Sequence, residues 1–264
     1  MDSALGLRLA QAVRKADPDR YFASLFASRE DRPYLHALYA FNHEVAHVAE
    51  SVREPMLGAI RLEWWRESAQ GAVRGNPRPH DVVRGLFHLF AERGLSLAGV
   101  EAIIAARAFD SSADYFSDFA ALEEYLDASG GGLMRLAAQL LKGDPSIMRD
   151  AALAFGLTGL LRSLPFHSRR HKLYLPMDLL NAEGLTPEAF FALENDPRAA
   201  RVVQRVALRA CEHFQAARRV KPRAALAAML PAALVPVYLK RVGKAVPIHR
   251  RQMALLSAAM RRKL

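Results

Sequence analysis

Proline decides most of what this chain can become. Pro55, Pro79, Pro145, Pro187, Pro197 and Pro222 each precede a stretch in which apolar residues recur every three or four positions. At the first position of a helix a proline gives up only an amide hydrogen that would have no partner there, and its fixed φ favours the start. With Ser96 and Thr186 as caps, the pattern predicts helices over 18–27, 31–52, 55–74, 79–93, 96–109, 118–142 with a break at Gly130 to Gly132, 145–164, 187–194, 197–220, 222–240 and 246–262. Gly75-Asn76-Pro77 and Gly143-Asp144-Pro145 read as loops. No segment alternates as a strand would, and no repeat, low-complexity tail or long linker divides the sequence. One all-α domain over residues 1–264 is expected.

At 264 residues with 52% hydrophobic side chains, the chain can bury a sizeable core. Its one cysteine, Cys211, excludes an internal disulfide and suits a reducing compartment. The first residues carry an early acid, Asp2, and no sustained apolar run before Arg8, so no secretory signal is read and a cytoplasmic location is expected. The longest apolar stretch, 224–239, is short for a bilayer and broken by Pro231 and Pro236; it reads as a buried helix pair. Charge is uneven. Residues 1–160 hold 17 Lys+Arg against 21 Asp+Glu, and residues 161–264 hold 20 against 6. The basic half should attract a diphosphate or an anionic membrane surface, with the run from Arg250 to Leu264 as the leading membrane contact. Nucleic acid is not expected, because no binding motif or aromatic interleaving accompanies the arginines.

The segment Asn42-His43-Glu44-Val45-Ala46-His47-Val48-Ala49-Glu50 spells His-Glu-x-x-His. On a continuous helix, His43, His47 and Glu50 fall within roughly 60° of one another, a face suited to zinc or iron. A zinc peptidase is a poor fit, since Glu50 is too near to be the usual distant third ligand and no strand is available to align a peptide.

A second reading of the same stretch rests on more of the chain. Tyr21-Phe22-Ala23, Leu38 to Phe41, Leu62-Glu63-Trp64-Trp65-Arg66-Glu67, Tyr125 to Met134, and Gly156 to Pro176 appear in an order and spacing that resembles the squalene and phytoene synthase family. Within it, Ala40-Phe41-Asn42 and Pro165-Phe166-His167 resemble the divergent branch that includes the mitochondrial complex I assembly factors of phytoene-synthase type. The resemblance implies an isoprenoid synthase-like helical bundle around a central cavity. It would place the family's two magnesium motifs on Ala46, His47 and Glu50 and on Gly159, Ser163 and His167. Of these six positions only Glu50 holds a carboxylate and Ser163 a neutral oxygen.

Magnesium demands hard oxygen ligands, so magnesium is not expected; any metal should be zinc or iron on His43, His47 and Glu50. No residue is assigned a catalytic role. The resemblance implies a pocket made by His43, His47, Glu50, Trp64, Trp65, Gly131, Gly159, Arg162, Ser163, His167, Arg169, Arg170, Lys172 and Tyr174, the last group forming an anion-binding edge. A plainer reading stays open for each: tryptophans as packing, Gly130 to Gly132 as a helix junction, arginines as solvated surface. Pro165 should end or kink its helix and take His167 out of line. The expected function is binding without prenyl transfer, as an assembly factor for a membrane complex or as a carrier of an apolar or diphosphate-bearing ligand. The alternatives are a prenyl transferase with an altered metal site and a His-Glu-x-x-His transition-metal protein.

Overall fold

The computed structural model describes residues 1–52, 54–192 and 196–264, and helix is the one regular structure among them. The first half is built from α1 (Ser3–Ala16), α2 (Pro18–Ser24), α3 (Arg32–Ala46), the single turn α4 (Val48–Ser51), α5 (Pro55–Val73), α6 (Asp81–Arg93), α7 (Leu97–Ala106), α8 (Phe119–Leu126) and α9 (Gly132–Leu140). The second half holds α10 (Arg149–Arg169), α11 (Met177–Ala182), α12 (Pro187–Ala192), α13 (Pro197–Ala217), α14 (Leu226–Met229), α15 (Val235–Leu239) and α16 (Ile248–Arg261). The expected helix over 187–194 ends, within the described residues, at Ala192; positions 193 and 194 lie outside them.

Helix α1 precedes every helix that the proline pattern announces. Asp2 starts it by accepting a hydrogen bond from Leu5 N at 2.7 Å, and Leu5, Leu9 and Val13, spaced by four, bury one face against α3. Ser96 and Thr186 cap as expected, accepting from Gly99 N and Ala189 N. Pro55, Pro187 and Pro197 open their helices, whereas Pro145 starts a tight 3₁₀ turn ahead of α10 and Pro222 precedes another at Arg223–Ala225. The stretch 222–240 is a succession of short 3₁₀ and α turns, buried as expected, because Pro231 and Pro236 each interrupt the amide ladder. No helix among the described residues is long and apolar enough to cross a membrane.

Three expectations about helix ends are corrected. The helix over 31–52 divides at His47, a turn residue between α3 and α4 with φ −87° and ψ −1°. The break at Gly130 to Gly132 is instead a continuous, widened turn. Asp127–Gly131 is π-helical, and Gly132 N reaches back five residues to Asp127 O. Gly132 serves close packing there, since a Cβ on it would stand 3.1 Å from Ile103 Cγ1 on α7, whereas one on Gly130 would meet nothing within 4 Å. Of the two outcomes expected at Pro165, an end or a kink, the end is overturned, since α10 runs on to Arg169. A proline forfeits its own amide bond, and here the turns after it still close, with Arg170 N and Lys172 N both on His167 O.

Helix α10 lies at the centre. Ala151, Ala152, Leu153, Ala154, Leu157, Thr158 and Leu161 are all buried on it, and its longest contact is with α13. That contact is also pinned by charge: His213 on α13 sits between Asp150 on α10 (2.8 Å) and Glu123 on α8 (3.0 Å), and Arg209 donates to Glu123 at 2.6 Å. The loop at Gly143 meets Ala225 so closely that a Cβ on Gly143 would stand 2.8 Å from Ala225 N. Gly143→Ala should therefore destabilise the fold by about 1–3 kcal/mol through overpacking. A lower urea midpoint at unchanged slope is the expected readout, and an unshifted midpoint would mean that the loop gives way.

Candidate functional site

Because α3 stops at His47, the single turn α4 stands as a partition with one cavity on each side. Ala49, Glu50 and Val52 face one cavity, and His47, Val48 and Ser51 face the other. The first, of about 420 Å³, is closed on its far side by the end of α10 and the extended segment after it, through Phe166, His167, Arg170, Lys172 and Tyr174. Arg170 ties the two walls together by donating to Glu50 O at 2.8 Å. Five of the residues predicted from sequence thus meet here: Glu50, His167, Arg170, Lys172 and Tyr174.

The floor was not legible in the sequence. It is Asp110, whose carboxylate accepts from Tyr125 Oη (2.6 Å) and Tyr174 Oη (3.1 Å) through Oδ1 and from Arg107 (3.3 Å) through Oδ2. Lys172 crosses above it, donating to Phe109 O and Ser112 O, with its ammonium 4.7 Å from the Phe109 ring centroid. Burial lowers the Lys172 pKa, opposed by the charge of Asp110. Burial likewise pushes His167 down to about 4, so at neutral pH it presents an uncharged imidazole, its ring 4.7 Å from that of Tyr174. Ser111 Oγ lines the cavity, buried and without a partner among the described residues. Two more such atoms, Tyr39 Oη and Asn42 Oδ1, lie one turn apart on α3. The one advance signal for them was the Leu-Tyr-Ala-Phe-Asn stretch that contains both.

The second cavity, about 330 Å³, is lined by His47, Trp64, Trp65, Arg61, Glu44 and His80 among others. The two indoles meet edge to face with centroids 5.0 Å apart, and Trp65 also packs on Phe41, so packing and lining are both served by these residues. His43 is half-buried, lines none of the cavities, and meets His47 at a tilt of 50° with ring centroids 3.9 Å apart. His47 Nδ1 bonds to His43 O at 3.0 Å, which requires the proton on Nδ1, and its Nε2 lies 3.3 Å from Glu50. Among the described residues no three His, Cys, Asp or Glu side chains converge in a geometry able to hold a metal. His43, His47 and Glu50 are thus neighbours, a tilted imidazole pair beside a carboxylate.

Arg162 lines a third cavity, with Tyr238, Lys244 and Arg251. Gly131, buried in the π-helical turn, and Gly159, Ser163 and Arg169 line none of the three. Of these, Gly159 faces free space, a Cβ there meeting no atom within 4 Å. The predicted single pocket is thus distributed over three cavities, since α4 and the continuation of α10 through Pro165 separate what a shared motif numbering would merge.

Two buried histidines make stability depend on pH. His36 is also pushed to about 4 by burial, where Ser24 Oγ accepts from its Nε2 at 2.8 Å while donating to Tyr21 O. Both folded values lie below the 6.5 of a free imidazole. The unfolded chain then binds more protons between those limits, so this stability is complete above pH 6.5 and is lost as pH falls towards 4. His167→Gln should flatten the fall, read as urea midpoints across that range. Identical slopes in the two proteins would place His167 in water.

Residues 13–258 match the family model for squalene/phytoene synthase. Among curated proteins, the NADH dehydrogenase (ubiquinone) complex I assembly factor 6 of Mus musculus is 29% identical over 240 residues, covering 88% of this chain and 72% of its own length. Presqualene diphosphate synthase of Rhodopseudomonas palustris is 28% identical over 211 residues, with 77% and 74% covered. Among solved structures, a dehydrosqualene synthase in complex with ligand superposes with a TM-score of 0.82 at 15% identity, over 98% of this chain and 96% of the other. A squalene synthase from Alicyclobacillus acidocaldarius gives 0.75 at 17%, over 98% and 94%. The fold is the all-α isoprenoid synthase fold that the sequence resemblance implied. With nearly its whole length matched, the chain belongs to the squalene/phytoene synthase family.

Proposed function

We propose that this chain works by binding rather than by magnesium-dependent prenyl transfer, as an assembly factor for a membrane-bound respiratory complex. The observation that carries the reading is the set of side chains at the family's two metal-motif positions, together with the floor of the cavity between α4 and α10. The two helices that would face each other across a metal cluster offer Ala46, His47 and Glu50 on one side and Gly159, Ser163 and His167 on the other. Asp110, the carboxylate that the fold adds, is already engaged by two tyrosines and an arginine. A carboxylate so occupied has little left to offer a hard cation, and neutral His167 is a poor magnesium ligand. The partner class is carried over from the name of the mouse relative. In cells lacking the chain, NADH-ubiquinone oxidoreductase activity of the membranes should fall and be restored by the wild-type gene. Unchanged activity would remove the assembly role.

A second reading, prenyl transfer with an altered metal site, is favoured by one feature: Glu50, Asp110 and His167 line the same cavity. The similarity to presqualene diphosphate synthase points the same way. The two readings separate in one assay. Incubated with farnesyl or geranylgeranyl diphosphate and magnesium, manganese or zinc, the protein should yield no coupled C30 or C40 product and release diphosphate far more slowly than about 1 s⁻¹. Coupled product at ordinary turnover would establish the second reading and end the first.

Metal content is a separate question, on which the reading calls for no cofactor. Zinc or iron suits the imidazoles of His43 and His47 better than magnesium does. Elemental analysis of the wild type and of His47→Ala answers it. Zinc or iron lost with His47 would support a site, and equal contents would make the imidazole pair structural.

A further inference from the structure

From His213 to Leu264 the chain carries twelve Lys and Arg and no Asp or Glu. One of these cations is spent inside the fold, where Arg251 pairs with buried Asp19. Five others gather at one end of the molecule. Lys221, Arg223, Arg261, Arg262 and Lys263 surround a cavity of about 720 Å³ together with Phe26, and no described carboxylate lines it. None of the five has an ion-pair partner among the described residues, in contrast to Arg162 and Arg251, which both pair with Asp19. Their placement is firm. Arg262 turns the chain with a φ of 53°, and Leu264 beyond it is 5% exposed and joined to the main core.

Beside this basic hollow lies apolar surface that the fold leaves uncovered. Helix α16 buries Leu255 and Ala258, and on its outer side Met253, Leu256 and Met260 fall within roughly 60° of arc. Met260 is 71% exposed, and Leu25 and Phe26, at the end of α2, are also exposed. A soluble surface seldom sets such a patch next to unpaired cations without a use for both. The combination suits a bilayer interface, which offers phosphates to the cations and the boundary of the acyl chains to the methionines and phenylalanine.

We infer that this end of the molecule docks on an anionic phospholipid surface, with a headgroup phosphate in the hollow and Phe26, Leu256 and Met260 seated at the acyl boundary. The inference stands whether or not the chain couples prenyl diphosphates, because none of these residues lines the cavity between α4 and α10. Charge alone would also attract nucleic acid, but Phe26 is the one aromatic ring at the hollow, and the exposed methionines would gain nothing from a phosphodiester backbone.

Truncating the chain end would expose Leu255 and withdraw Leu264, so point variants of exposed residues are the proper probes. The full-length protein should float with vesicles of phosphatidylcholine and phosphatidylglycerol at low salt, float less at high salt, and not float with phosphatidylcholine alone. Arg223→Gln with Lys263→Gln should lower partitioning about tenfold or more. Phe26→Ser with Met260→Ser should also lower it, and the loss should persist at low salt. Arg74→Gln with Arg205→Gln, the same change in charge at exposed sites elsewhere, should leave it within about twofold. Unfolding midpoints matched to wild type show that each variant is folded. Equal losses in both charge variants, a serine variant that binds as wild type, or retention on duplex DNA in place of flotation would each overturn the proposal.

Discussion

Helix α10 is the constraint around which the other elements arrange themselves. From Ala151 to Leu161 it carries no charged side chain, and residues such as Ala151, Ala154, Leu157 and Leu161 show no exposed surface at all. A helix apolar on nearly every side must be enclosed. It is: α8 and the π-helical turn lie on it from one direction, α13 from another and α15 from a third. The small side chains let these neighbours come close, so the cost of any added volume is high along this whole axis. The further end of the same helix, past Pro165, emerges from that enclosure and supplies His167 and Phe166 to the cavity wall. A rigid buried stem thus positions a partly open tip, a better support for a binding site than a free loop would be.

A second dependence is electrostatic. Asp19, 4% exposed, accepts from Tyr238 Oη and from Arg251 at 2.7 Å, and Arg162 lies 3.6 Å away with its guanidinium over the Tyr238 ring. One carboxylate near the start of the chain therefore joins α2, α10, α15 and α16. A buried charge is tolerated only when its partners surround it, and removing one partner of such a set is far costlier than the set is stabilising. This linkage holds α16 against the body of the protein with one face inward, which is why its other face, with Met253, Leu256 and Met260, is left to the outside.

The division of space near α4 follows from a smaller event. The helix is interrupted at His47, its Nδ1 bonds back to His43 O, and Glu50 then lines one cavity and His47 the other, although their side chains still meet at 3.3 Å. The residues that would share one helical stripe then serve two cavities. At the other wall, the segment after α10 brings Lys172 and Tyr174 down onto Asp110, a residue in the 3₁₀ turn after α7 with no mark in the sequence. The charge of Asp110 is held by Arg107 and two phenols, and that network fixes the floor on which any ligand of this cavity would rest.

What the sequence determined by itself was local. Apolar periodicity and prolines at helix starts specify an all-helical chain, because those signals act through the hydrogen bonds of a few neighbouring residues. The order of its short motifs was enough to indicate the family, and the charge imbalance between the halves was plain from counting. The tertiary structure alone decided the rest. Helix α1 is defined by what Leu5, Leu9 and Val13 pack against, while α10 persists past Pro165 through the turns that close after it on His167 O. Gly130 to Gly132 lie in and beside a widened turn instead of a break, with Ile103 of α7 packed against Gly132. Asp110 entered the site, and Arg162 left it for Asp19, through contacts between residues far apart in the chain. Such contacts depend on how whole helices lie against one another, and no short stretch of sequence carries that information.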